Sequence, residues 1–302
     1  MLGANISWGL MAPFSKFVIL SGVVTPLIIT NLRMAGAMLL FWLTGLFVPR
    51  EHVPMKDLVR IFVASMLGVL INQSCFMAGV GLTSPGDASI ITTSMPLWVM
   101  ILSALILHDR ITPRKVTGIA CGAAGALLLI LGSGRVASSG GDSATAIWGD
   151  LLVLTAQFSY ALYLVLFKDF VRRYSLVTLM KWMFTFAFAA SVPYSLPGWL
   201  ATDWTALGAM HIGSLAFVVV MGTYVAYIFI MYGQKTLAPT VVGMYNYVQP
   251  VVSCLVAIYL GMDSFNGEKA IAIILIFTGV WLVTRSADSA KASIHNKIFQ
   301  NK

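Results

Sequence analysis

The feature that most constrains this chain is a succession of ten apolar runs, over 3–21, 25–47, 58–80, 84–107, 113–132, 146–167, 177–197, 209–232, 238–260 and 267–284. A helix rising 1.5 Å per residue needs about 20 apolar residues to cross about 30 Å of hydrocarbon. The runs do not alternate in polarity every second residue, as barrel strands would. Helices satisfy their own backbone in lipid, so each run is expected to be a transmembrane helix. Composition agrees. The chain is 59% hydrophobic and only 10% charged, against about 25% charged in soluble domains. That leaves too little polar surface to cover a water-soluble globule. The gaps carry turn chemistry, as at Pro49–His52, Ser84–Asp87 and Ser138–Asp142. The first run starts at once, lacks a basic leader and continues into further runs, so it is expected to be a retained span.

The net charge of +8 would raise nucleic acid as a partner in a soluble domain. Here the basic residues fall in the gaps. With the N-terminus placed in the cytoplasm, fourteen of the 19 Lys and Arg lie on the inner side, and Arg135 and Lys269 lie outside. Lys16, Arg33 and Lys181 fall within runs. This positive-inside split predicts a cell (inner) membrane protein with both termini cytoplasmic, whose partners are the bilayer and a small-molecule substrate rather than nucleic acid. Cys75, Cys121 and Cys254 sit inside runs and read as packing residues, not a disulfide framework. No metal-ligand or nucleophile motif occurs, so neither a cofactor nor a catalytic centre is expected.

A shift of 154 lays residues 68–125 over 222–279 without a gap. Gly68 meets Gly222, Met77 meets Met231, Gly79 meets Gly233, Pro85 meets Pro239, Pro96 meets Pro250, Asp109 meets Asp263, Lys115 meets Lys269, and Gly125 meets Gly279. A shift of 152 pairs Ser7 with Ser159 and Lys16 with Lys168. Each copy holds five runs, and five is odd, so the second copy enters the membrane upside down. The expected architecture is all-α: a first five-helix repeat over 1–134, an outer linker over 135–145, a second repeat over 146–285 and a cytoplasmic tail over 286–302. Inverted repeats around a midplane site are the architecture of secondary transporters.

At this point the sequence resembles the drug/metabolite transporters with two EamA-type domains. The resemblance rests on Ser7-Trp8-Gly9 with Lys16, on Asn31-Leu32-Arg33, and on Thr83-Ser84-Pro85-Gly86-Asp87 leading to Met95-Pro96-Leu97 and His108–Thr112. The echo is Ala238-Pro239, Gln249-Pro250 and Met262-Asp263. The family usually carries Glu where this chain has Asp109 and Asp263. The resemblance implies ten helices, export or exchange of small metabolites, and a cavity lined by spans 1, 3, 4, 6, 8 and 9. A membrane-embedded enzyme and a channel in the same fold are the alternatives.

Candidate substrate contacts follow from polar and aromatic residues within runs. Arg33 lies about 12 Å below the outer surface. It lacks an acidic partner inside any run, so it either ties helix ends together or meets an anionic substrate. Lys16 lies near the outer end of span 1. Asn246, Gln249 and Ser253 share one helix face, and Pro250 frees the Asn246 carbonyl. Met95 is the apolar counterpart of that patch. Asn72 and Gln73 are placed in the outer half of span 3, and Tyr227, the repeat partner of Gln73, toward the inner side. Gln157 and Tyr160 lie a turn apart in span 6, and Trp8 and Tyr245 add aromatic surface. Asp87 reads as part of a helix start with Ser84 and Pro85, or as a proton relay. Thr112-Pro113 reads as a cap. Gly118, Gly122 and Gly125 give span 5 a close-approach face, for packing or for a homodimer.

Overall fold

The computed structural model describes residues 1–19, 21–82, 91–132, 143–259 and 267–300, with no strand among them. In chain order the elements are α1 (Leu2–Ile19), α2 (Pro26–Thr44) and α3 (Met55–Ser65), which passes through a π segment (Met66–Ile71) into α4 (Asn72–Leu82). Then come α5 (Met95–Ile106), α6 (Pro113–Gly132), α7 (Ser143–Leu166) and α8 (Leu176–Ala201). Next is α9 (Ala209–Val219), which passes through a second π segment (Val220–Val225) into α10 (Ala226–Thr236). A 3-10 turn (Tyr245–Tyr247) joins α11 (Pro239–Met244) to α12 (Val248–Tyr259), and α13 (Gly267–Gln300) closes the chain.

Within each expected run, helix covers most of the residues that are described. Six stretches are long and apolar enough to cross a membrane: Pro26–Thr44, Met55–Gly79, Ile147–Leu166, Leu176–Ala201, Ala209–Thr236 and Gly267–Ser286. Large apolar side chains cover the outside, Phe47 at 82% and Tyr259 at 89% exposure among them. Such a surface is stable only against lipid. The chain is a polytopic helical membrane protein. The tail expected beyond residue 285 continues as helix to Gln300, because no Gly or Pro follows Gly279 to stop it.

Local chemistry sets the helix ends. Gly22 takes φ 71 just past the end of α1, and its N–H bonds the Ile19 carbonyl at 3.0 Å. Thr25 caps α2 by accepting the Ile28 N–H, with Pro26 in the first turn. Thr112 caps α6 as its sequence predicts, accepting the Lys115 N–H at 3.3 Å. His108 takes φ 55 after α5, which lets the Asp109 N–H reach back to the Ser103 carbonyl at 3.2 Å. The proposed cap at Ser84–Asp87 lies outside the described residues, as do the side chains of Lys16 and Ser253.

Two antiparallel helix pairs frame the bundle. On α2 and α8, Asn31 Nδ2 donates to Ser191 Oγ at 2.6 Å and Trp42 Nε1 to Thr185 Oγ1 at 2.9 Å. The Phe41 and Phe184 rings stack at 5.8 Å. On α6 and α13 the contact is backbone against backbone. A Cβ on Gly125 would stand 2.6 Å from the Ala272 carbonyl, and one on Gly279 would stand 2.5 Å from the Gly118 carbonyl. The glycine face of α6 is therefore occupied by α13 of the same chain. Between these pairs, contacts come in matched sets: α4 packs on α7 as α10 packs on α1, α5 on α7 as α12 on α1, and α3 on α8 as α9 on α2. Element starts also recur 154 residues on, from Met55 to Ala209, Met66 to Val220, Asn72 to Ala226 and Pro113 to Gly267.

Candidate functional site

The two π segments anchor the candidate site. A π turn leaves its carbonyls poorly paired, and such turns concentrate at functional sites. Trp8 Nε1 donates to the Gly222 carbonyl in the second segment at 3.1 Å. Ser159 Oγ donates to the Leu67 carbonyl in the first at 2.8 Å. Glycine is required at the shared centre. A Cβ on Gly68 would meet the Tyr163 ring at 2.7 Å, and one on Gly222 would meet Met11 Sδ at 2.8 Å.

Arg33 reaches from α2 to the second π segment and is only 5% exposed. Its Nε donates to Thr223 Oγ1 at 2.9 Å, and that hydroxyl donates on to the Val218 carbonyl at 3.0 Å. No carboxylate of the described residues forms an ion pair with it. Of the two roles open to Arg33 in the sequence, the tie is thus visible: it fastens α2 to the π turn.

Gln73 and Tyr227 meet directly, Gln73 Nε2 donating to Tyr227 Oη at 2.8 Å. Counting along each span did not anticipate that these two side chains reach each other. Gln73 Oε1 is buried without a partner. Around Tyr227 stand Trp8, edge-on at 6.0 Å, and Phe184, edge-on at 4.9 Å.

Polar contacts continue along the same faces. Gln234 lies seven residues, two turns, after Tyr227 and so shares its face of α10. It accepts from Tyr163 Oη at 2.9 Å and donates to Tyr160 Oη at 3.2 Å. Asn5, three residues before Trp8 on α1, accepts from Gln249 Nε2 at 3.0 Å. Gln249 also reaches Asn246 Oδ1 at 3.4 Å, so these two of the three expected residues lie side by side. Asn72 Nδ2 bonds the Ala156 carbonyl at 2.9 Å, joining α4 to α7. Gln157, next along α7, is buried. Met95 is fully buried in the core. Tyr245 packs against the α6–α13 cluster, away from Trp8 and Tyr227.

Sequence reading missed Thr223, Tyr163, Gln234, Asn5 and Tyr247. Tyr247 has the clearest physical origin. Pro96 interrupts the helix before α5, and the Leu97 and Trp98 N–H groups both turn to the Ser94 carbonyl. Just ahead of this turn, Tyr247 Oη donates to the Thr93 carbonyl at 3.1 Å. Thr93 and Tyr247 are also 154 residues apart, like Gln73 and Tyr227.

The sequence profile of the EamA-like transporter family matches residues 1–131 and 147–285. The chain belongs to the EamA-like transporter family. Its relatives include an uncharacterized transporter of Archaeoglobus fulgidus, 26% identical over 282 residues, covering 92% of this chain and 95% of that protein. The uncharacterized inner membrane transporter YedA of Escherichia coli K12 is 28% identical over 296 residues, covering 92% of this chain and 87% of that protein. The WAT1-related protein At3g56620 of Arabidopsis thaliana is 25% identical over 258 residues, covering 78% and 67% of the two chains. A solved crystal structure shares the fold, with a TM-score of 0.78 at 20% identity over 95% of this chain and 96% of that one. Family and relatives together make this EamA-family protein a transporter.

Proposed function

We propose that this EamA-family transporter is a secondary carrier for small amino-acid-like or anionic metabolites. It works in the efflux direction, by alternating access between two inverted five-helix copies in the inner membrane, with both termini cytoplasmic. The observation that carries the reading is the Gln73–Tyr227 hydrogen bond at 2.8 Å. A residue can bond its own repeat partner only beside the axis that relates the copies. The Tyr247–Thr93 bond repeats the relation. The antiparallel pairing of α2 with α8 and of α6 with α13 supports the inversion, since each pair joins equivalent helices. Two copies that exchange packings interconvert an outward-open and an inward-open state.

The substrate class follows from charge. The polar strip consists of amides, phenols and one indole, and Arg33 is a buried cation on the π segment beside it. A carboxylate substrate would satisfy the guanidinium by charge-assisted hydrogen bonds, and the Trp8–Tyr227–Phe184 rings would meet its apolar part. The test is a metabolite screen of overexpressing against deletion cells, followed by counterflow in vesicles holding the purified protein. Arg33→Gln and Lys16→Gln should each cut transport of the identified substrate by at least about tenfold, the value of one charged hydrogen bond. Unchanged transport of every amino-acid-like or anionic substrate in both variants would sink the reading.

A further inference from the structure

The two ends of the bundle are closed by different chemistry. At one end, the connection after α2 and the first turn of α3 meet the α7–α8 connection and the last turn of α10. Both carboxylate oxygens of Glu51 accept the Ser175 backbone N–H, at 2.9 and 3.1 Å. Ser175 caps α8, so Glu51 also sits at the positive end of that helix dipole. Tyr174 Oη donates to Asp57 Oδ2 at 2.5 Å. Arg60 pairs with the same carboxylate at 3.2 Å. Lys235 Nζ, one residue beyond Gln234, donates to the Tyr174 carbonyl. Burial pushes the Glu51 carboxyl up. Bonds from Thr178 and Ser175, with the Lys235 charge, outweigh that and hold it below the usual glutamate range. A small cavity lies behind this cluster, lined by Tyr163, Phe167, Lys168, Gln234, Pro239 and Val242. The cluster therefore stands over the end of the polar strip.

The equivalent positions at the other end hold none of this among the described residues. A shift of 154 carries Asp57 to His211, and Val24 precedes the α2 cap Thr25 where Tyr174 precedes the α8 cap Ser175. The Asp203 carboxylate is used within its own turn, accepting from the Thr205 N–H at 3.0 Å and its hydroxyl at 2.6 Å. His211 stacks on Phe17 at 4.7 Å. Across this end Val18, Val24 and Ile28 pack against Leu207 and Val218, and Trp199 Nε1 donates to Asn31 Oδ1 at 2.7 Å.

We propose that Glu51, Asp57, Tyr174 and Lys235 form a polar latch that locks one end of the bundle in this conformation. The latch sets which access state is favoured, so this inference rests on the alternating-access reading. Apolar contact has no directionality and slides at little cost. Charged hydrogen bonds must be broken outright, so the latched end is the one whose opening side chains can tune.

The test is hydrogen–deuterium exchange on the full chain in lipid nanodiscs. Tyr174→Phe and Asp57→Asn each remove one charge-assisted bond without changing side-chain volume appreciably. Each should speed exchange of the amides at 171–175 and 55–58 about tenfold, with exchange at 204–212 unchanged or slower. The double variant should go no further than Asp57→Asn alone, because both single variants weaken the Tyr174–Asp57 bond and only Asp57→Asn also loses the Arg60 pair. Wild-type exchange at 171–175 in both single variants overturns the latch. So does faster exchange throughout α6 and α13, which would mean general loosening. The readout involves no substrate. Latch behaviour as stated in a protein that shows no counterflow overturns the carrier reading alone.

Discussion

The helix that runs through the first π segment and the one that runs through the second share a backbone and differ in chemistry. Both break from α to π at equivalent residues, Met66 and Val220, and return at Asn72 and Ala226. Both place a glycine at the crowded centre. The side chains then diverge: Val69 stands where the other has Thr223, Gln73 where it has Tyr227, and Asn72 where it has Ala226. Thr223 receives Arg33, whereas Val69 is buried among apolar neighbours. The glycines are held by shape, since the neighbouring helix leaves no room for a Cβ. The divergent positions are free of that constraint, and there a symmetrical frame acquires an asymmetrical site.

That comparison can be broken most severely at the shared positions. Gly68→Leu and Gly222→Leu should each destabilise the fold by about 3 kcal/mol, the upper range for overpacking a core. Thermal melting in detergent would show it, with the two variants falling by similar amounts. A large loss in one and none in the other would mean that the two π segments are not held by the same constraint.

The divergent positions sharpen it. Thr223→Val strips the Arg33 guanidinium of its Nε partner and should cost about 1.5–3 kcal/mol, as for a lost hydrogen bond to a charged group. The reciprocal Val69→Thr should change stability by less than about 0.5 kcal/mol. A threonine in a π turn can bond the carbonyl five residues back, as Thr223 does at 3.0 Å. Melting temperatures of the two variants give the contrast directly. Equal losses would show that Thr223 matters to its own turn and not through Arg33.

A smaller loss than that of Thr223→Val is expected at Gln73 and Tyr227. A double-mutant cycle of Gln73→Leu and Tyr227→Phe should return a coupling of about 0.5–1.5 kcal/mol for their neutral hydrogen bond. Additive losses within about 0.3 kcal/mol would show that the two repeat partners do not meet in the protein.

Much of the fold was legible because lipid imposes simple rules. Apolar runs, caps such as Thr25 and Thr112, and breakers such as Gly22 act through neighbours in sequence, and their helices start and stop about where those signals lie. The Asn246–Gln249 face followed from helical spacing alone. Two things were not legible. The π turns carry no local signal beyond glycines that also suit plain close packing. The meeting of Gln73 with Tyr227 was the second, because counting along each span does not say which side chains of different helices reach each other. Tyr247 and Gln234 were passed over as ordinary span residues. Their significance depends on the Thr93 carbonyl in a different segment and on two phenols of α7.

Sequence by itself determined that this chain lives in a membrane, is helical, and repeats itself 154 residues on. Hydropathy, turn chemistry and repetition are properties of the chain read locally, and solvent enforces them segment by segment. Only the tertiary structure decided which residues meet. It gave Arg33 to Thr223 and Gln73 to Tyr227, and it gave Glu51 to the end of α8. Those pairings join residues far apart in the sequence, and packing between helices, not the preference of any one helix, selects them.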